Sequence, residues 1–146
     1  MVLTLEFFAV LGAGLFVGGA VYISVVEHPA RMKAGVKVAL AEFRPSYRRA
    51  APWQATCAAV SLIAGVFAAL LTSTLAWALG GLLVGAVIPL TLVVVMPINR
   101  QLLDTNATMS DHDATALLEK WGRLHGVRSI LGAAGLLVFL SKVLLR

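Results

Sequence analysis

Residues 119–140 read EKWGRLHGVRSILGAAGLLVFL. A charged and aromatic opening runs without a break into small and branched apolar residues. From about residue 124 to 145 the apolar part is as long as the roughly 20 residues an α-helix needs to cross a hydrocarbon core. Trp121, His125 and Arg128 stand four and then three residues apart, which stacks an indole, an imidazole and a guanidinium on one helical face. A membrane helix that begins this way is read as a docking face, an interfacial anchor or a site.

Three more apolar runs precede it, at about residues 3–26, 53–73 and 75–98. Of the 146 residues, 60% are hydrophobic and 13% charged, against about 25% charged in soluble domains. Only helices and closed barrels satisfy the backbone in lipid. The expected fold is therefore all-α: a single transmembrane domain over residues 1–146, an integral membrane four-helix bundle. The first run has no basic leader and passes into VEHPARMK (26–33) without a small-residue cleavage site, so it is read as a span and not a signal peptide.

The formal charge of +5 does not point to nucleic acid, because its distribution follows the spans. Arg31, Lys33, Lys37, Arg44, Arg48, Arg49, Arg100, Lys120, Arg123 and Arg128 fall at one end of the bundle. Lys142 and Arg146 fall at the other. By the positive-inside rule the basic end is cytoplasmic and both termini lie outside, on the periplasmic face of a bacterial inner membrane. The basic end also suits anionic lipid headgroups as partners. Cys57 is the only cysteine, so no intramolecular disulfide forms. Phosphate-loop, dinucleotide and zinc-protease motifs are absent, and no acidic pair lies within a span.

Gly14-x-x-x-Gly18 and Gly81-x-x-x-Gly85 predict close helix contacts in the first and third spans. The stripe Gly14, Gly18, Val21, Val25 and His28 is expected to face the other helices. Residues 31–52 are amphipathic, with Met32, Val36, Leu40 and Phe43 opposite Lys33, Lys37 and Arg44. They predict a short interfacial helix, broken by Pro45 and Pro52 before the second span. Residues 72–77, TSTLAW, make a tight turn. Residues 105–113, TNATMSDHD, make a loop whose Ser110 and Asp113 cap the last helix. A gapless shift of 68 residues brings Val25, Val26 and Pro29 onto Val93, Val94 and Pro97, Trp53 onto Trp121, and Ser61 onto Ser129. If that shift is structural, the bundle is two pseudo-repeated helical hairpins of one orientation.

The unusual residues gather at one level. His28 and Arg31 end the first span, Gln54 and Cys57 begin the second, Asn99 ends the third, and Trp121, His125 and Arg128 begin the fourth. Ionisable groups at such a depth point to function. Bland readings stand beside that one: Trp53 and Trp121 as belt anchors, Asn99 as a helix cap, Cys57 as packing, and Arg128 as the ion-pair partner of Glu27. Tyr47 is placed to donate a hydrogen bond into the mouth of the bundle.

VEHPARMK (26–33), FRPSY (43–47), IPLTLVVVMPINRQL (88–102) and WGRLHGVRS (121–129) resemble a bacterial family of small four-helix membrane proteins that also contains the anthrone oxygenases. The resemblance covers nearly the whole chain. Its most specific parts are the His-Pro after the first span, the Pro-x-Asn ending the third and the Trp-x-x-x-His-x-x-Arg opening the fourth. It implies insertion of dioxygen-derived oxygen into an electron-rich anthrone, without an organic cofactor. It carries over to His28, Tyr47, Asn99, Trp121, His125 and Arg128.

On that reading a lipophilic aromatic or quinol-type substrate enters an intramembrane cleft. His28 or His125 acts as general base, Arg128 and Asn99 stabilise the enolate, and Trp121, Tyr47 and Gln54 bind the substrate. A second reading is a haem- or copper-binding membrane protein ligated by His28 and His125, with Met96 and Cys57 nearby. A third is a non-enzymatic bundle that binds lipid or a partner, a homo-oligomer included.

Overall fold

The computed structural model describes residues 1–105 and 109–145, which form four long helices and no strand. They are α1 (Val2–Lys33), α2 (Val36–Thr72), α3 (Leu75–Leu103) and α4 (Asp111–Leu144), each long and apolar enough to cross a membrane. All four outrun the apolar runs that predicted them. The 37 residues of α2 extend about 55 Å, so its basic first third projects beyond a hydrocarbon core of roughly 30 Å.

Turn chemistry sets the ends. Gly35, at φ 94°, supplies the left-handed residue between α1 and α2. Ser73, at φ 51°, ends α2 in the expected tight turn. The Ser110 hydroxyl oxygen accepts from the Asp113 amide at 3.1 Å and starts α4 as expected. The rest of the loop expected before it includes residues 106–108, and these, like Arg146, lie outside the described residues.

The short interfacial helix does not exist as a separate element. Its residues are the beginning of α2, which runs through both Pro45 and Pro52. Each proline removes one backbone hydrogen bond, but both rings are exposed. The Thr56 hydroxyl donates to the Pro52 carbonyl at 2.9 Å. Tertiary contacts hold the segment in the helix: Ala39 and Phe43 are fully buried against Leu102, Leu118 and Trp121. Arg44 donates to the Leu102 and Asp104 carbonyls at 3.1 and 2.9 Å, tying α2 to the end of α3.

The helices run up, down, up and down, each packed on its neighbours in sequence and α4 closing on α1. Contacts between α1 and α4 fall from Phe16–Gly132 through Ala20–Ser129 and Ser24–His125 to His28–Gly122, an antiparallel register. Both termini therefore lie at one end, and the basic residues of the connections at the other.

Near the termini, small residues let the backbones touch. A Cβ on Gly12 would stand 2.8 Å from the Cys57 carbonyl oxygen, and one on Gly135 2.7 Å from that of Gly80. Gly81 and Gly85 pack on Leu62, as their spacing predicts. Gly14 and Gly18 do not: a Cβ there meets nothing within 4 Å, and Val21 and Val25 beside them are exposed. The face of α1 that packs is Ala9, Gly12, Ala13, Phe16 and Ala20. Two small-residue rows share this helix, and the glycine spacing marks the one left to lipid.

Two single π-helical turns interrupt the helices, Ile23–Glu27 in α1 and Thr91–Val95 in α3. They are 68 residues apart, the shift found in the sequence. Each precedes an X-Pro pair, His28-Pro29 and Met96-Pro97. A proline ring clashes with the carbonyl four residues back, here Val25 or Val93 inside the π turn, and the extra residue of the turn makes room for it. Equivalent distortions at equivalent places support the two-hairpin repeat.

Candidate functional site

Alongside the π turns, the four helices separate around a cavity of about 150 Å³. Its walls bring together five of the seven residues expected to form a site: Tyr47, Gln54, Trp121, His125 and Arg128. Phe43, Glu27 and Arg31 close it toward the basic end. Ala55 on α2 and Leu92 on α3 also line it, and both are exposed on the lipid-facing surface, so the cavity opens sideways between those helices.

The hydrogen bonds of Asn99 determine what Tyr47 can do. Indole N–H only donates, and Trp121 Nε1 donates to Asn99 Oδ1 at 2.9 Å. This orients the amide, so Asn99 Nδ2 donates to the Tyr47 hydroxyl oxygen at 2.8 Å. Tyr47 thus accepts from behind and keeps its own proton for the cavity. Asn99 itself is fully buried, does not line the cavity and has both ends of its amide engaged. It does not cap α3, and it stands behind the wall in which Tyr47 and Trp121 lie.

His125 is held by a similar chain. Ser129 Oγ lies 3.1 Å from the Ala20 carbonyl and 3.0 Å from the His125 carbonyl, so its single proton goes to one of them. It therefore accepts from Ser24 Oγ at 2.9 Å. With its proton spent, Ser24 accepts from His125 Nδ1 at 3.0 Å. In a neutral imidazole that leaves Nε2 as the free acceptor. The ring is 1% exposed and stacks on Trp121 at 4.7 Å.

The two buried arginines differ. Arg31, 6% exposed, pairs with Glu27 and, at 2.7 Å, with Glu42, while Ser46 donates to Glu27 at 2.7 Å. Arg128, 7% exposed, donates to Gln54 Oε1 at 3.1 Å and lies over the Phe16 ring at 5.8 Å. Glu27 is taken by Arg31, so the expected Glu27–Arg128 pair does not form. Among the described residues no carboxylate pairs with Arg128, and its Nε has no hydrogen-bond partner. A guanidinium does not give up its charge, and an uncompensated buried charge is costly.

His28 is not in the cavity wall. Its ring lies 5.3 Å from that of Trp121 and fits against Gly122, where a side chain would collide with it. Both imidazoles thus rest on Trp121, but only His125 faces the cavity. Cys57 packs in the core near the termini, Met96 lines the cavity, and no group of three or more His, Cys, Asp and Glu suited to a metal occurs among the described residues. Of the pair His28 and His125 expected to ligate a haem or copper in the second reading, only His125 lines the cavity. Trp53 is 56% exposed on the lipid surface, as a belt anchor would be.

Sequence reasoning passed over Ser24 and Ser46. Ser24 carried a signal, standing four residues before His28 on one helical face. Ser46, between Pro45 and Tyr47, carried none, because its role depends on how α2 meets Glu27.

Residues 43–138 match the family model for anthrone oxygenase. No curated protein and no solved structure matches the chain. The matched segment covers about two thirds of the sequence and includes every cavity residue outside α1. The chain belongs to the anthrone oxygenase family.

Proposed function

We propose that this protein oxygenates a lipophilic hydroxyarene, admitted from the bilayer into the cavity between its helices. The observation that carries the reading is the unpaired Arg128 guanidinium in the wall that also holds His125. A substrate oxygen that gains negative charge is the counter-ion Arg128 lacks, and the Tyr47 hydroxyl is a second donor to it. Donors arranged in advance around a developing oxyanion, away from water, give a large catalytic effect.

His125 Nε2 takes the hydroxyl proton, or the equivalent carbon-bound proton of a keto tautomer such as an anthrone. Dioxygen then bonds to the electron-rich ring carbon para to the oxygen. The O–O bond breaks as that carbon loses its hydrogen. One oxygen atom remains as the new carbonyl, and the other leaves with both hydrogens as water. Hydroxyarene and dioxygen give para-quinone and water, and the substrate supplies all the electrons. Asn99, Ser24 and Ser129 hold Tyr47 and His125 in the protonation pattern this requires. On this reading the basic end faces the cytoplasm and both termini lie outside, which the charge distribution supports, with the cavity toward the inner leaflet of a bacterial membrane.

The test is oxygen uptake by the purified protein in lipid nanodiscs with 1,8-dihydroxyanthrone, after subtraction of the protein-free rate. The expected result is one dioxygen per quinone formed and no peroxide. A rate equal to the protein-free rate, or stoichiometric peroxide, overturns the proposal.

A further inference from the structure

The cavity sets a size and a shape for its occupant, and the geometry points to a ligand with one aromatic ring carrying an acidic hydroxyl and a long apolar tail. This rests on the functional reading above and narrows its substrate class.

Size comes first. An apolar protein cavity of about 150 Å³ holds one benzene ring, and this cavity is about 150 Å³. Three fused rings exceed that volume and must extend into the lateral opening with the helices where they stand, so they are held less tightly than one ring. The walls are those of an aromatic site: Trp121 is stacked on His125 and met edge-on by Phe43 at 5.0 Å, and Phe43 lies parallel to Tyr47 at 5.6 Å. Such surfaces favour a flat ring over an acyl chain.

Polarity fixes the ring's direction. The unpaired Arg128 and the unspent Tyr47 proton lie in the interior wall. Ala50, Ala51, Ala55, Ile88 and Leu92 form an apolar stretch of the wall that leads toward the opening between α2 and α3. The ring hydroxyl therefore points inward to Arg128, and any substituent that leaves the cavity does so into hydrocarbon. Glu27, held by Arg31 and Ser46, closes the basic end against a polar tail. The lateral opening beside the Thr91–Val95 π turn suits an unbranched chain parallel to the lipid tails.

The experiment measures binding and needs no turnover. The protein in nanodiscs is titrated with 3-pentadecylphenol, its methyl ether, pentadecanoate and 1,8-dihydroxyanthrone, with the shift in melting temperature as readout. A ligand that binds only the folded state raises it with concentration, and by more the tighter it binds. The phenol is expected to bind at least about tenfold more tightly than the ether, because the ether has no acidic proton to lose and so cannot place a negative oxygen against Arg128. It is also expected to bind more tightly than the anthrone. Arg128→Gln and Tyr47→Phe should each remove the preference for phenol over ether; Tyr47→Phe keeps the test informative if Arg128→Gln does not fold.

Equal binding of phenol and ether overturns the inference, as does pentadecanoate binding as well as the phenol, since the site would then read charge and tail without the ring. Tighter binding of the anthrone overturns it too, and if that anthrone is also oxygenated the functional reading stands without the narrower class. If the phenol binds selectively while oxygen uptake is absent with both hydroxyarenes, the ligand class holds and the oxygenase reading falls.

Discussion

The two ends of this bundle are built on opposite principles. Near the termini, Gly12, Gly65, Gly80 and Gly135 bring the backbones so close that a single Cβ collides with a neighbouring carbonyl or ring. Near the basic end, π turns, buried polar chains and an uncompensated arginine hold the helices apart around a cavity. The first arrangement gains stability from dispersion and close contact, which drive helix association in lipid. The second gives some of it up for a site. Stability and function should therefore respond oppositely to substitution at the two ends.

Gly135→Val breaks the comparison most strongly. Its side chain has no route away from the Gly80 carbonyl and the Val84 backbone, and it should cost about 3 kcal/mol or more. Denaturant unfolding in mixed micelles measures this. A loss below half that figure would mean that the close-packed end can relax. Asn99→Leu comes next. It leaves the Trp121 indole N–H unpaired in a buried site and should cost about 2 kcal/mol. It should also weaken phenol binding by freeing Tyr47 to turn. Retained binding would show that Tyr47 is aimed by something other than Asn99.

Arg128→Met sharpens the contrast because its sign is reversed. Removing a buried charge with no carboxylate partner should raise stability by about 1 kcal/mol while abolishing oxygen uptake. Destabilisation would place an anionic partner on Arg128 within the folded chain. Gly18→Leu should have the smallest effect, within about 0.5 kcal/mol, since the position faces lipid. A larger effect would mean that a second helix covers that face.

Much of this was legible in the sequence, for physical reasons that also explain the rest. Apolar length predicts four helices, because lipid leaves the backbone no alternative. The face shared by Trp121, His125 and Arg128, and that shared by Gln54, Cys57 and Ser61, follow from helical geometry, and all six are buried. The two π turns stand 68 residues apart, at the shift found in the sequence, though nothing in the sequence reading foretold a π turn at either place. The packing face of α1 was not legible from glycine spacing, because Gly14 and Gly18 form a close-packing motif with no helix against it. Continuity of α2 through two prolines depends on contacts from α3 and α4, which local propensity does not contain. The partners of Arg128 and Asn99 depend on side chains from three helices. Spacing brings such residues to one level without saying which pair forms.

The central claim is that His125 and Arg128 form a reacting centre and not part of the scaffold. Oxygen uptake with 1,8-dihydroxyanthrone by wild type, His125→Phe and Arg128→Met, each first shown to melt cooperatively in nanodiscs, tests it most directly. A reacting centre predicts a loss of about 100-fold or more in both variants with melting temperatures at or above that of wild type. Variants that fold normally and consume oxygen at the wild-type rate would contradict it.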